Sequence, residues 1–217
     1  MKLISINQAT PRQLEYRQQL ILTGIFKEPV AGPITVTDFG IEGDVQVDRE
    51  NHGGKDKAIY VYTVENYRFW QTELGREAFP HGQFGENFTV SEMPDEEIHI
   101  GDIFQIGAII VQVTQPRVPC FKLEIKMEYP QFVESFLRSG RVGFYLRILQ
   151  EGLVNAGDCI TRLREDQEKL NIRDAMLAMV KGPRQQEIIE RALRVEALSD
   201  AWRADLTKRL NRLSPLH

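Results

Sequence analysis

About eight to ten short runs of strand composition fill the chain from Met1 to Leu163, each closed by glycine, proline or polar residues. Only two helical patterns lie among them. Strands this short, joined by connections this tight, pair most readily with antiparallel neighbours, because a parallel crossover needs a dozen or more residues. The expected class is therefore mainly β: a largely antiparallel β-barrel with a few peripheral helices. Met1–Ile6, Gln19–Phe26, Ile34–Thr37, Ala58–Tyr62, Ile98–Ile106, Ala108–Thr114, Val142–Leu149 and Asp158–Leu163 read as strands, and Gly107 joins the two central ones. Thr63 caps a first helix that stops at Gly75. Pro130 opens a second, whose Phe132, Val133, Phe136 and Leu137 share one face before Gly140.

Past Leu163 the pattern becomes helical. Asn171 and Asp174 form an N-terminal signal ahead of Ile172, Ala175, Met176 and Met179, and Gly182-Pro183 ends that helix. A further helix covers about Gln185–Val195. Ser199 caps the last, which carries Trp202, Leu206, Leu210 and Leu213 on one side. The expected domains are residues 1–163, a β-barrel, and 164–217, a small three-helix unit.

With 217 residues, 42% of them hydrophobic, the chain can bury a sizeable core. No apolar run approaches the roughly 18 residues of a membrane span and no signal peptide is evident, so a cytoplasmic protein with reduced cysteines is expected. The formal charge of −4 argues against general nucleic-acid binding. From Ile160 onward 12 Lys+Arg face 9 Asp+Glu, but Asp200 and Asp205 dilute the cations of the last helix. A DNA-binding tail is accordingly disfavoured.

Phosphate-loop, nucleophile-elbow and zinc-spacing patterns are absent. Three features remain. Gln115–Leu123, Q-P-R-V-P-C-F-K-L, holds Cys120 on a segment stiffened by Pro116 and Pro119, with Arg117 and Lys122 near enough in sequence to favour a thiolate. Gly40–Asp56 is too polar and glycine-rich for a core element. Its His52-Gly53-Gly54-Lys55-Asp56-Lys57 end sketches an anion-binding loop, with Arg49 adding charge. Gly85-Glu86-Asn87 forms a second polar turn. Taken alone, the same residues also fit a buried structural cysteine and a solvated surface turn. Cys159 reads as structural.

The series I-E-G-D, H-G-G-K-D-K-A, F-G-E-N, G-D-I-F, Q-P-R-V-P-C-F-K-L and G-L-V-N-A-G-D, in this order, resembles the MOSC-domain family, and most closely its stand-alone YiiM-type branch. That resemblance implies a MOSC β-barrel followed by a three-helix domain. It also implies a molybdenum cofactor, a molybdopterin whose metal takes Cys120 as its protein ligand, a soft sulfur donor suited to such a metal. The activity implied is reduction of N-hydroxylated compounds such as hydroxylaminopurines, hydroxylamines and amidoximes, with electrons from an external flavin-type reductase. Arg49, His52, Gly53, Gly54, Lys55 and Lys57 are then the candidates to hold the pterin phosphate or its polar edge. Asn87 lies near the metal or pterin, Arg117 supplies charge behind the thiolate, and His52 is an alternative proton donor. A monomer or homodimer is expected. Sulfur carriage through a Cys120 persulfide is the alternative, as is cofactor binding without turnover.

Overall fold

The computed structural model describes residues 1–44, 54–180 and 185–213. Thirteen strands lie among them: β1 Lys2–Gln8, β2 Arg12–Tyr16, β3 Gln19–Thr23, β4 Glu28–Val30, β5 Ile34–Thr37, β6 Gly40–Ile41, β7 Ile59–Thr63, β8 Phe88–Ser91, β9 Ile103–Ile106, β10 Ile109–Pro116, β11 Phe144–Gln150, β12 Gly152–Val154 and β13 Ile160–Arg164. The helices are α1 Val64–Leu74, α2 Phe121–Met127, α3 Phe132–Ser139, α4 Ile172–Met179, α5 Gln185–Arg194 and α6 Asp200–Leu213.

Eight strands form one sheet in the order β13-β9-β10-β11-β7-β8-β1-β4. The start of β1 meets the segment leading into β13: Leu3 N donates to Asp158 O (3.0 Å), Gly157 N to Leu3 O (2.7 Å) and Ile160 N to Met1 O (3.0 Å). This short seam, with the Lys2–Cys159 bridge, ties the start of β1 to the segment entering β13. Among the described residues only β7 and β8 pair in parallel, and α1 makes the crossover that such a pair requires. Thr63 caps α1 by accepting from Asn66 N, and Gly75 closes it in the left-handed region at φ 61°.

A single apolar core runs from Leu3, Phe88 and Phe104 inside the sheet to Met176, Ile189, Trp202 and Leu206 on the three last helices. Those helices cover an outer face of the sheet, which explains why β10 is buried on both sides along nearly its whole length. At one end the rings of Tyr62, Tyr67, Trp70, Phe84, Phe132 and Phe136 pack together and bind α1 and α3 to the strands. Full burial of one such ring is worth about 1.5–3 kcal/mol, so this cluster is a principal source of stability.

The mainly β expectation and the helical tail hold, while several local readings do not. Ile98–Ile106 is not one strand: the chain turns at Gly101 (φ 99°), where the Asp102 carboxylate accepts from His99 N (3.1 Å), and β9 starts only at Ile103. Gln19–Phe26 shortens to β3, and the polar stretch before it is its partner β2. Arg17 and Gln18 supply the two positive-φ residues of their tight turn. Pro130 does not open a helix, because Gln131 adopts φ 67° and α3 begins at Phe132. Lys27–Pro33 and the Gly152 connection contain β4 and β12. Phe121–Met127, which begins inside the Gln115–Leu123 segment and was not predicted as a helix, is helical.

Candidate active site

β10 ends at Pro116, whose ring leaves no N–H to continue the ladder. The chain then crosses Arg117 to Pro119 and enters α2 with Cys120 in the N-cap position, its backbone extended at φ −127°, ψ 170°. Leu123 N donates to Cys120 O (2.9 Å), which starts the helix. The Cys120 side chain makes no disulfide and is half-buried. Around it, Phe121 stacks on Tyr16 of the β2–β3 hairpin at 4.8 Å, and Val118 is exposed. Lys122 does not lean on the thiol: its Nζ donates to Leu22 O on the same hairpin (3.4 Å).

Arg117 is only 5% exposed. Its guanidinium lies 5.3 Å from the centre of the Tyr60 ring and 5.6 Å from that of Phe136, a cation held between two π-faces. Its backbone N–H donates to Gly143 O (3.1 Å), and Gly143 N in turn donates to the Asp95 carboxylate (2.7 Å). Nη1 of the guanidinium is fully buried with no partner, and no carboxylate pairs with the group among the described residues. Burial raises the Tyr145 pKa; the Arg117 charge opposes that shift and Cys120 adds to it, so these three groups share one electrostatic neighbourhood.

Asn87 is engaged on both ends of its carboxamide. Oδ1 accepts from Tyr60 N (3.1 Å) and Nδ2 donates to Asp44 Oδ2 (2.8 Å). Asp44 also accepts from Ala9 N (2.9 Å) and pairs with Lys27 (2.6 Å), a buried ion pair in which burial lowers the lysine pKa despite the aspartate. Beside it, Glu86 is completely buried and accepts from Gly82 N (2.8 Å), Phe84 N (3.1 Å), Thr89 Oγ1 (2.8 Å) and the Tyr67 hydroxyl.

Arg49, His52 and Gly53 lie outside the described residues. The other end of their loop is visible. Gly54 adopts φ 92°, a conformation suited to glycine, and leads into a 3₁₀ turn at Lys55–Lys57. Lys55 is exposed and pairs with Asp38 (2.9 Å), whereas Lys57 is half-buried. Asp56 accepts both Nε (3.0 Å) and Nη2 (2.6 Å) of Arg147. Asp44 and Asp56 thus tie down the chain on either side of residues 45–53. Neither was singled out from the sequence, although both stand in quoted motifs. Asp44 follows Gly43 and Asp56 stands between Lys55 and Lys57, but the donors that both carboxylates collect come from elsewhere in the chain.

These elements place a soft, half-buried sulfur in one electrostatic neighbourhood with a buried, incompletely satisfied cation that lies over Phe136 of the aromatic cluster. Such a site can ligate a metal or hold an anionic group. The MOSC domain model matches residues 48–161, which include the Cys120 loop and the Gly54–Lys57 turn. The chain is 38% identical over 213 residues to the uncharacterized protein YflK of Bacillus subtilis (strain 168), covering 98% of this chain and 96% of that one. It is 32% identical over 155 residues to a protein named Reductase from Gibberella moniliformis (strain M3125 / FGSC 7600), covering 70% of this chain and 28% of that one. Among solved structures, YiiM from Geobacillus stearothermophilus superimposes with a TM-score of 0.81 at 32% identity, over 96% of this chain and 98% of that one. The chain belongs to the MOSC-domain family. Within that family it is of the YiiM type.

Proposed function

We propose that this chain is a cytoplasmic molybdenum-cofactor-dependent oxidoreductase that reduces N-hydroxylated compounds, among them hydroxylaminopurines, hydroxylamines and amidoximes, with electrons from an external flavin-type reductase. Family membership and a relative named Reductase support the class of activity. Among the described residues no helix is long and apolar enough to cross a membrane. Residues 1–163 carry the site in this reading, and 164–217 form the helical domain.

The observation that carries the reading is the buried Arg117 guanidinium, left with an unpaired Nη1 and, among the described residues, no carboxylate partner. A buried charge without a counter-ion is costly, so the residues present fit an occupant that brings negative charge and accepts a soft sulfur ligand, as a molybdenum dithiolene does. When bound, that cofactor supplies the two-electron, oxygen-accepting chemistry that no side chain here provides. Cys120 would be its protein ligand and Arg117 the fixed charge behind that ligand. Asn87, locked by Asp44 and Tyr60, would keep the neighbouring strand in place. Gly54 and Lys57, with Arg49, His52, Gly53 and Lys55, would hold the phosphate side. The half-exposed Phe121 and Tyr16 form the wall along which substrate enters.

The test is metal and pterin content after anaerobic purification from a cofactor-competent host. Wild-type protein should carry molybdenum and pterin, and Cys120→Ser should lose at least about tenfold of the metal. Equal, negligible contents in both would overturn the reading.

A further inference from the structure

The first turn of α6 is attached to the rest of the molecule by more than apolar packing. Ser199, completely buried, donates from Oγ to Gln115 Oε1 (2.6 Å), while its backbone N–H donates to Thr114 O (3.3 Å). The same hydroxyl oxygen accepts from Trp202 N (3.2 Å) and so caps the helix. One residue on, Asp200 N donates to Asp56 Oδ2 (3.3 Å), which places a carboxylate at the positive end of α6. Arg147 completes the arrangement: it grips Asp56 and also donates from Nη2 to Ala197 O (3.2 Å). On the sheet side, the Thr114 hydroxyl donates to Asp56 O (2.6 Å).

These bonds converge on two chain segments near the site, with Arg147 of β11 as a link between one of them and the last helix. One is the Lys55–Lys57 turn that closes the glycine loop. The other is Thr114-Gln115, immediately before Pro116, Arg117 and Cys120. The two segments are far apart in sequence and are not neighbouring strands; Thr114, Arg147 and the α6 N-terminus link them through Asp56. We propose that the C-terminal helices act as a brace for the active site, with Ser199 and Asp56 as positioning residues that hold the Cys120 loop and the Gly54–Lys57 turn in mutual register. The inference rests on the reading of Cys120 as the site residue, but it requires no bound cofactor.

Cys159 supplies an internal control, since it is exposed on the β1–β13 seam and takes no part in the brace. Full-length, cofactor-free protein is pulsed with iodoacetamide, and the alkylation rates of Cys120 and Cys159 are read from the same sample by mass spectrometry. Ser199→Ala and Asp56→Asn should each raise the Cys120/Cys159 rate ratio about threefold or more, the effect of losing one net hydrogen bond. Ser199→Thr, which keeps the hydroxyl, should restore the wild-type ratio. Arg147→Lys tests the same link from a half-exposed position if the buried Ser199→Ala variant does not fold. An unchanged ratio in folded Asp56→Asn and Arg147→Lys proteins would overturn the brace, and so would equal acceleration of both thiols. Because the readout is a thiol rate, a chain that never takes up molybdenum still decides the point.

Discussion

Two buried charges stand in two of the short motifs and are treated in opposite ways. In the F-G-E-N turn, Glu86 collects two backbone amides and two hydroxyls, so its burial is repaid within the fold. In the P-R-V-P-C loop, Arg117 is buried almost as deeply but keeps an unpaired nitrogen, packs against the rings of Tyr60 and Phe136, and has no carboxylate partner among the described residues. A saturated charge is scaffold. An unsaturated one, maintained against its desolvation cost, marks a place where something outside the polypeptide is expected.

The largest effect should come from removing the saturated charge. Glu86→Ala strands four donors in the interior and should cost about 3–5 kcal/mol. For a chain of this length that lowers the melting temperature by roughly 6–20 °C, measurable by calorimetry. A shift within a degree or two would show that Glu86 is not scaffold and would erase the contrast.

Asp95 allows the scaffold to be tuned by pH. Burial raises its carboxyl to about 6, against the bonds from Asn66 and Gly143 that favour the charged form. The folded state therefore holds this proton more tightly than the unfolded chain does. The associated stability is fully present below the unfolded pKa near 4 and is lost as pH rises through 6. Urea unfolding across that window should show a decline on the order of 2–3 kcal/mol from this group. Asp95→Asn should flatten that decline; an identical slope in the variant would refute the assignment.

The smallest stability change is expected at Arg117. Arg117→Met exchanges ring contacts for relief of an uncompensated charge, so stability should stay within about 1 kcal/mol of wild type. The consequence should be local. Without the cation, the preference of Cys120 for anionic iodoacetate over neutral iodoacetamide should fall about threefold or more relative to Cys159. This comparison of two reagents at one thiol cancels any change in thiolate fraction. A stability loss as large as that of Glu86→Ala, with the reagent preference intact, would place Arg117 in the scaffold instead.

The strand runs, the capped α1 and the tail helices were legible because periodicity, caps and glycine stops agree locally, as at Thr63, Gly75 and Asn171. The hairpin β2–β3 was not. Arg12–Tyr16 is polar and contributes little to the core, so its pairing with Gln19–Thr23 leaves little trace in hydrophobic pattern. Helix α2 was hidden by the prolines before it, which drew the reading toward a loop although they lie outside the helix. Within the site, Cys120 and Arg117 stood out by chemistry. Asp44, Asp56 and Glu86 did not, since a carboxylate in a polar, glycine-containing stretch looks like part of a solvated turn until its donors arrive from elsewhere in the chain.

By itself the sequence determined a strand-rich body with a helical tail, a family resemblance carried by short motifs, and one cysteine set between prolines. Those properties depend on residue type and local spacing, which a linear chain displays directly. Tertiary structure alone decided that Lys122 turns to Leu22, that Asn87 is locked between Asp44 and Tyr60, and that Arg117 is buried with no counter-ion among the described residues. It also decided that Ser199 reaches Gln115 while Asp56 joins Arg147 to the last helix. Each of these depends on which groups burial leaves paired or unpaired, and that is settled only when distant segments are brought out of water together.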